Sequence, residues 1–327
     1  MRIGYTLMTE QAGPKALVRY AAAAERAGFD FEVSSDHYSP WLDEQGHAPY
    51  AWSVLGAVTQ RTDRVELMTY VTCPTVRYNP VVVAQKAATL QLLSDNRFTL
   101  GLGSGENLNE HVVGTGWPPA NTRHAMLTEA IDIISGLFDG GYFNYSGRHF
   151  QVDSAKLWDL PEIRTPIGVA VSGKQSVEKF ALTADAMIAV EPDADLVSRW
   201  DAQRHDTGSR KVGQLPICWD ADRDVAVKRA HDQFRWFGSG WKVNAELPGT
   251  AGFAGATQFV TEDDVAGGIP CGPDLEPIVE SVRNFADAGF TDLALVQIGG
   301  DHQDGFLEFA QSDLLPALRD AFPDGAR

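Results

Sequence analysis

The sequence predicts an α/β fold, a (β/α)8 TIM barrel, on three observations. Short apolar runs alternate with segments of helical period along the chain, the pattern of βαβ units around a parallel sheet. Eight such runs can be counted, which fits a closed barrel better than an open sheet. No G-x-G-x-x-G run follows the first of them, as an open dinucleotide-binding sheet would require.

Taken in order, residues 3–7 read as a short buried strand. Pro14 and the alanine-rich run 16–27 form a helix that Gly28 closes. Residues 31–34 are the second strand, 53–60 a helix and 65–71 the third strand. Pro80 suits the first turn of a helix over 81–93, because its missing N–H is one that a helix start leaves unpaired. Asn96 ends that helix and 98–102 is the fourth strand. An amphipathic helix over 123–138 and a hairpin over 141–152, with Gly147 at its turn, interrupt the pattern. Strands over 167–171, 186–190, 215–218 and 292–298 complete the eight. Helices over 175–182, 222–237, 275–288 and 306–318 accompany them. The stretch 238–272 breaks the rhythm. It is rich in Gly, Ala and Thr and too long for an ordinary loop, so it reads as a structured insertion or lid between strands seven and eight. Residues 1–327 are therefore expected to form a single barrel domain.

The charge narrows the class of partner. Lys and Arg total 27 against 44 Asp and Glu, a net charge of -17 over 327 residues. Nucleic acid is held by Lys and Arg that displace counterions, and no basic block occurs. The same field disfavours an anionic membrane surface. A small anion held by backbone N–H groups stays compatible with it. Cys73, Cys218 and Cys271 supply neither a disulfide framework nor a C-x-x-C pair, and read as small buried side chains. The N-terminus lacks signal-peptide character and no run reaches 18 apolar residues, so a cytoplasmic protein is expected. No H-E-x-x-H or other dense ligand set points to a metal.

In such barrels the chemistry sits where strands end at the C-terminal face. Glu10 follows strand one. Asp36 and His37 end strand two, Thr72 strand three, and Gly105, Glu106 and Asn109 strand four. Ser172, Gly173 and Lys174 end strand five, and Glu191 strand six. A neutral imidazole such as His37 is a good general base near neutral pH. A partly desolvated Glu106 can serve as an acid. A helix-capping Asp36 beside a surface histidine, and a first-turn Glu106, are the competing structural readings. Gly101 to Gly105 lets backbone approach a flat ligand, and Ser172-Gly173-Lys174 before a helix resembles a phosphate nest. Trp41, Trp117, Trp158, Trp219 and Trp241, with Tyr38, Tyr50 and Trp52, fall in presumed loops and suit a ring system or an apolar substrate.

Five segments in order carry a resemblance: S-D-H-Y-S-P-W at 35–41, G-H-A-P-Y at 46–50, C-P-T-V-R-Y-N-P at 73–80, G-L-G-S-G-E-N-L-N-E at 101–110 and F-L-E-F-A-Q-S-D-L-L-P at 306–316. Together they resemble the deazaflavin-dependent glucose-6-phosphate dehydrogenases of the luciferase-like barrel superfamily. The resemblance implies a homodimer that binds coenzyme F420 and passes a hydride from a substrate hydroxyl carbon to C5 of the deazaflavin. It implies that His37 is the base, Glu106 the acid toward the reduced ring, Trp41 the aromatic that holds the reacting complex, and Glu10 a carboxylate near the substrate. It further implies that Asp36, Thr72, Asn109, Gly105 and a cis Tyr70–Val71 link meet the ring and ribityl chain. Ser172, Gly173 and Lys174 would meet the coenzyme phosphate.

The chain departs from the family where the sugar phosphate is gripped. After strand six, Glu191-Pro192-Asp193 replaces the family's T-S-G-K, and residues 249–268 contain no Lys or Arg. Carboxylates there repel a phosphate dianion. The sequence therefore favours a neutral, bulky alcohol or its ketone over glucose 6-phosphate. Other readings are a reductase of a ketone or activated alkene, the glucose-6-phosphate dehydrogenase itself, an FMN-dependent monooxygenase, and a non-catalytic binding barrel.

Overall fold

The computed structural model describes residues 1–323, so residues 324–327 of the expected domain lie outside the described part. Ten strands occur: β1 (Arg2–Leu7), β2 (Phe31–Ser34), β3 (Glu66–Thr69), β4 (Phe98–Leu102), β5 (Phe143–Ser146), β6 (Gln151–Ala155), β7 (Ile167–Ala170), β8 (Ala186–Ile188), β9 (Arg210–Ile217) and β10 (Asp292–Gln297). Eight of them close a parallel barrel in the order β1-β10-β9-β8-β7-β4-β3-β2, and β5 and β6 form a separate antiparallel hairpin. The fold class read from the sequence is the one observed.

Side-chain alternation divides each strand between two cores. Phe31, Val33, Met68, Ile188, Val212 and Ala294 point inward and fill the barrel. Tyr5, Leu67, Leu100 and Leu295 point outward and meet the helices in the main core. Gly4 makes room inside: a Cβ there would lie 2.5 Å from the Phe31 ring. At the strand starts, Arg2 and Arg210 each pair with both Glu66 and Asp292 at 2.8–3.4 Å. Their guanidinium groups also flank the Phe31 ring, 5.6 and 5.1 Å from its centre. This ring of charge seals the end of the barrel opposite the candidate site.

The seventh barrel strand, β9, begins five residues before the expected 215. Arg210 and Lys211 hid it. Lys211 is buried at a strand start because its ammonium meets Asp201 and the Thr207 carbonyl, both at 2.9 Å. Sequence reasoning also missed the helix Ala194–Arg204 between β8 and β9. Asp193 is its N-cap and accepts from the N–H groups of Asp195 and Leu196.

The 238–272 stretch is structured. After the helix Arg223–Phe234 come a 3-10 turn (Arg235–Ser239) and three short helices, Trp241–Asn244, Thr250–Ala256 and Glu262–Gly268. They form a cap over the C-terminal mouth of the barrel. Its apolar underside, with Trp236, Phe253, Val265 and Ile269, packs on Met8, Trp41, Leu42 and Leu108 from the loops after β1, β2 and β4. Among the described residues no helix is long and apolar enough to cross a membrane.

Candidate active site

β1 and β2 are hydrogen-bonded neighbours, so the loops that leave them run side by side. Glu10, on the first loop, is 1% exposed. Its Oε2 accepts from the hydroxyls of Ser35 at 2.6 Å and Thr9 at 3.2 Å. Its Oε1 lies 3.1 Å from Nδ1 of His37. The Ser39 carbonyl oxygen is 3.3 Å from the same nitrogen. Both neighbours are acceptors, which assigns the proton of the neutral ring to Nδ1 and the lone pair to Nε2. Glu10 thus stands behind the histidine as its orienting group. Trp41 lies beside the ring, 4.9 Å between centroids. The cap holds it there: Trp236 stacks on it at 4.1 Å and Phe253 meets it edge-on at 5.1 Å.

Asp36 is the hub of the second group. Oδ2 accepts from Thr72 Oγ1 at 2.7 Å and from Trp52 Nε1 at 3.0 Å. Oδ1 accepts from the Tyr78 hydroxyl at 3.0 Å and from Arg77 at 3.2 Å. Four protein donors on one buried carboxylate make Asp36 and Thr72 a brace for the strand ends. Arg77 also binds Glu110, whose carboxylate accepts from its backbone N–H at 2.7 Å and its Nε at 3.4 Å. Burial pushes the Glu110 carboxyl up to about 7. Arg77 opposes the shift, and Glu106 and Asp36 add to it.

Asn109 joins the two groups. Its Oδ1 accepts from the N–H of Tyr38 at 2.8 Å and of Ser39 at 3.3 Å, and its amide donates to Glu106 Oε2 at 3.2 Å. The loop that carries His37 and the Glu106 carboxylate are thereby linked by one buried side chain. The glycines nearby serve the protein's own packing. Gly105 has φ +84°, and a Cβ there would lie 2.5 Å from the Cys73 sulfur. Gly101 lets β4 close on the Thr69 carbonyl.

The Tyr70–Val71 link is cis. Tyr70 spans the barrel mouth, its hydroxyl donating to the Ala189 carbonyl at 3.0 Å. Ser172, Gly173 and Lys174 share no hydrogen bond with these groups among the described residues. Lys174 is 67% exposed and reaches only Glu178, at 3.7 Å. Gly173 precedes the helix Lys174–Phe180, no side chain caps that start, and nothing lies within 4 Å of where its Cβ would be. Of the other aromatics singled out, Trp158 is 76% exposed, and Trp219 stacks on Phe309 at the terminal helix.

Sequence reasoning gave no role to Arg77, Tyr78, Glu110, Trp236 or Phe253. The first three stood in quoted motifs, and a lone arginine amid apolar and aromatic residues at a strand end was a usable signal. Nothing in the sequence joined Trp236 and Phe253 to Trp41.

The luciferase-like monooxygenase family model matches residues 1–292. The chain belongs to that family. Within it, the chain is 33% identical over 332 residues to a protein of Segniliparus rotundus named F420-dependent glucose-6-phosphate dehydrogenase, covering 98% of each. It is 33% identical over 336 residues to one of the same name from Amycolatopsis mediterranei, covering 98% of this chain and 99% of the other. A solved structure, an F420-dependent secondary alcohol dehydrogenase in complex with an F420-acetone adduct, superposes with a TM-score of 0.87. It is 25% identical and covers 99% of both chains. The resemblance read from the five segments therefore holds.

Proposed function

We propose that this member of the luciferase-like family is an F420-dependent dehydrogenase that takes a hydride from a hydroxyl-bearing carbon. The Glu10–His37 pair carries this reading, since hydride loss from an alcohol needs a base beside the departing proton. The names of the relatives support the choice of coenzyme.

The residues fit that coenzyme. Glu106 offers a half-buried carboxyl at the strand-four end, and the uncapped helix start at Gly173 with Lys174 beside it suits an anionic tail. Bound F420 would supply the hydride acceptor. His37 Nε2 takes the substrate hydroxyl proton, and Glu10 stabilises the charge that the ring then carries. Glu106 would act as the acid toward the reduced coenzyme from the strand-four end, with Asn109 fixing its direction. Trp41, clamped by Trp236, walls the substrate side and keeps water from it.

Two substrate classes have support. The relatives' names speak for glucose 6-phosphate, and more directly than for any other alcohol, so it is the first compound to assay. The residues speak for a neutral alcohol. Glu191 is exposed after β8, and the cap from 249 to 268 offers no cation. Asp193 no longer counts toward that argument, because its carboxylate is committed to a helix cap.

Titration of the protein with oxidised F420 and with FMN, read by fluorescence, tests the coenzyme. Selective binding of F420 is expected, and selective binding of FMN would overturn the proposal. Steady-state rates on glucose 6-phosphate and on a panel of secondary alcohols then decide between the substrate classes. No turnover in either direction on any of them would overturn the dehydrogenase reading.

A further inference from the structure

A pair of thiols lies outside the machinery described so far. Cys218 follows β9 directly, and Cys271 follows the last helix of the cap. The two residues form a parallel bridge. The Cys218 N–H donates to the Pro270 carbonyl at 2.9 Å, and the Gly272 N–H donates to the Cys218 carbonyl at 3.0 Å. Neighbouring strands lie about 4.8 Å apart, inside the roughly 4.4–6.8 Å that a disulfide spans between Cα atoms. Residues paired in register on neighbouring strands carry their side chains on the same face, so the two thiols lie side by side.

The pair is also asymmetric. Cys218 is fully buried, and Cys271 is half-buried and open to a small reagent. The neighbouring Cys218 thiol lowers the pKa of the Cys271 thiol against its burial, and the charges of Arg223 and Arg229 add to the lowering. Burial pushes the thiol of the third cysteine, Cys73, up, and Thr75 occupies it at 3.0 Å.

We propose that Cys218 and Cys271 form a reversible disulfide switch, oxidised by a peroxide, that fastens together the two ends of the segment carrying the cap. The Cys271 thiolate attacks one peroxide oxygen. The O–O bond breaks, leaving a sulfenic acid on Cys271 and a hydroxide that becomes water on protonation. The Cys218 sulfur then attacks the Cys271 sulfur. An S–S bond forms, the S–O bond breaks and a second water leaves. Two thiols have lost two electrons and two protons, and one hydrogen peroxide has become two waters. A dithiol reverses the step by exchange.

The consequence falls on the site. The chain between Cys218 and Cys271 carries Trp236 and Phe253, which hold Trp41 against His37. Joining its ends restricts the excursions of the cap that would release Trp41. The inference does not depend on the coenzyme or substrate.

The full chain is treated with hydrogen peroxide, alkylated and mapped by peptide mass. Thiols should fall from three to one, with Cys73 alone alkylated and a Cys218–Cys271 cross-linked peptide present. Limited proteolysis within 238–272 should slow in the oxidised protein and recover with dithiothreitol. The Cys271→Ser variant should form no cross-link and show no change in proteolysis. Oxidation at Cys73 in place of the pair, a sulfinic acid on Cys271 without a cross-link, or cross-linked protein cleaved as fast as reduced protein would each overturn the proposal.

Discussion

Glu10 holds its Oε1 3.1 Å from Nδ1 of His37, and in doing so decides which ring nitrogen can accept a proton. The pair predicts a division of effects. His37→Asn should lower kcat by about 10²–10⁴, the usual worth of a positioned base, with coenzyme affinity unchanged. Glu10→Gln should lower kcat by at least about tenfold, or ~1.4 kcal/mol, with little change in KM. Steady-state kinetics and coenzyme titration on the same variants check this. If His37→Asn lost coenzyme binding in proportion to rate, His37 would be a ligand and not a base.

Asn109→Ala should leave the Tyr38 N–H unpaired and Glu106 undirected. These donors are only part-buried, so losing their acceptor costs about 0.5–1.5 kcal/mol. Urea denaturation should show a loss of that size, with kcat reduced beyond what the small stability change explains. Full activity would mean that base and acid keep their places without this link.

Arg77 lies between the carboxylates of Asp36 and Glu110, with its side chain 9% exposed. Removing one partner of a buried ion pair costs about 3–5 kcal/mol. Arg77→Met should therefore lower the urea midpoint strongly at pH 7, and a near-neutral effect would show that solvent compensates the two acids.

Glu110 makes stability depend on pH. Its carboxyl is raised from 4.5 to about 7 by burial, so between those values the folded state binds the proton and the unfolded state does not. This contribution is fully present below 4.5 and is lost as pH rises through 7. Relative to Glu110→Gln, the wild type should thus lose up to about 3 kcal/mol between pH 5 and 8. Parallel stability curves for the two proteins over that range would refute the assignment.

Phe253→Ala removes the edge that seats Trp41. A fully buried phenylalanine is worth about 3–5 kcal/mol. Tryptophan emission should shift to the red, and KM for the substrate should rise more than kcat falls. An unchanged spectrum would show that Trp236 alone holds the indole.

Much of this was legible in the sequence because local rules agreed with the fold. Residues 31–34 and 98–102 were placed to the residue, since apolar runs bounded by polar turns leave little choice of boundary. β9 was cut short because its polar start is made tolerable by Asp201 and Thr207, contacts invisible to periodicity. The loop after β2 declared His37 and Trp41. That Glu10 sits behind His37, and that Asp36 is spent on four protein donors, depends on neighbouring strands and on turns far apart in the chain.

The apolar cluster beneath the cap shares no member with the layer between barrel and helices. The segment proposed to wall the substrate rests on this cluster, which reaches the barrel through Val296, Ala226 and Ala230. Grafting residues 235–268 from a relative should transplant its choice of alcohol while the barrel beneath folds as before. Lineages can then diversify by exchanging one segment, with His37, Glu106 and the Asp36 brace kept intact.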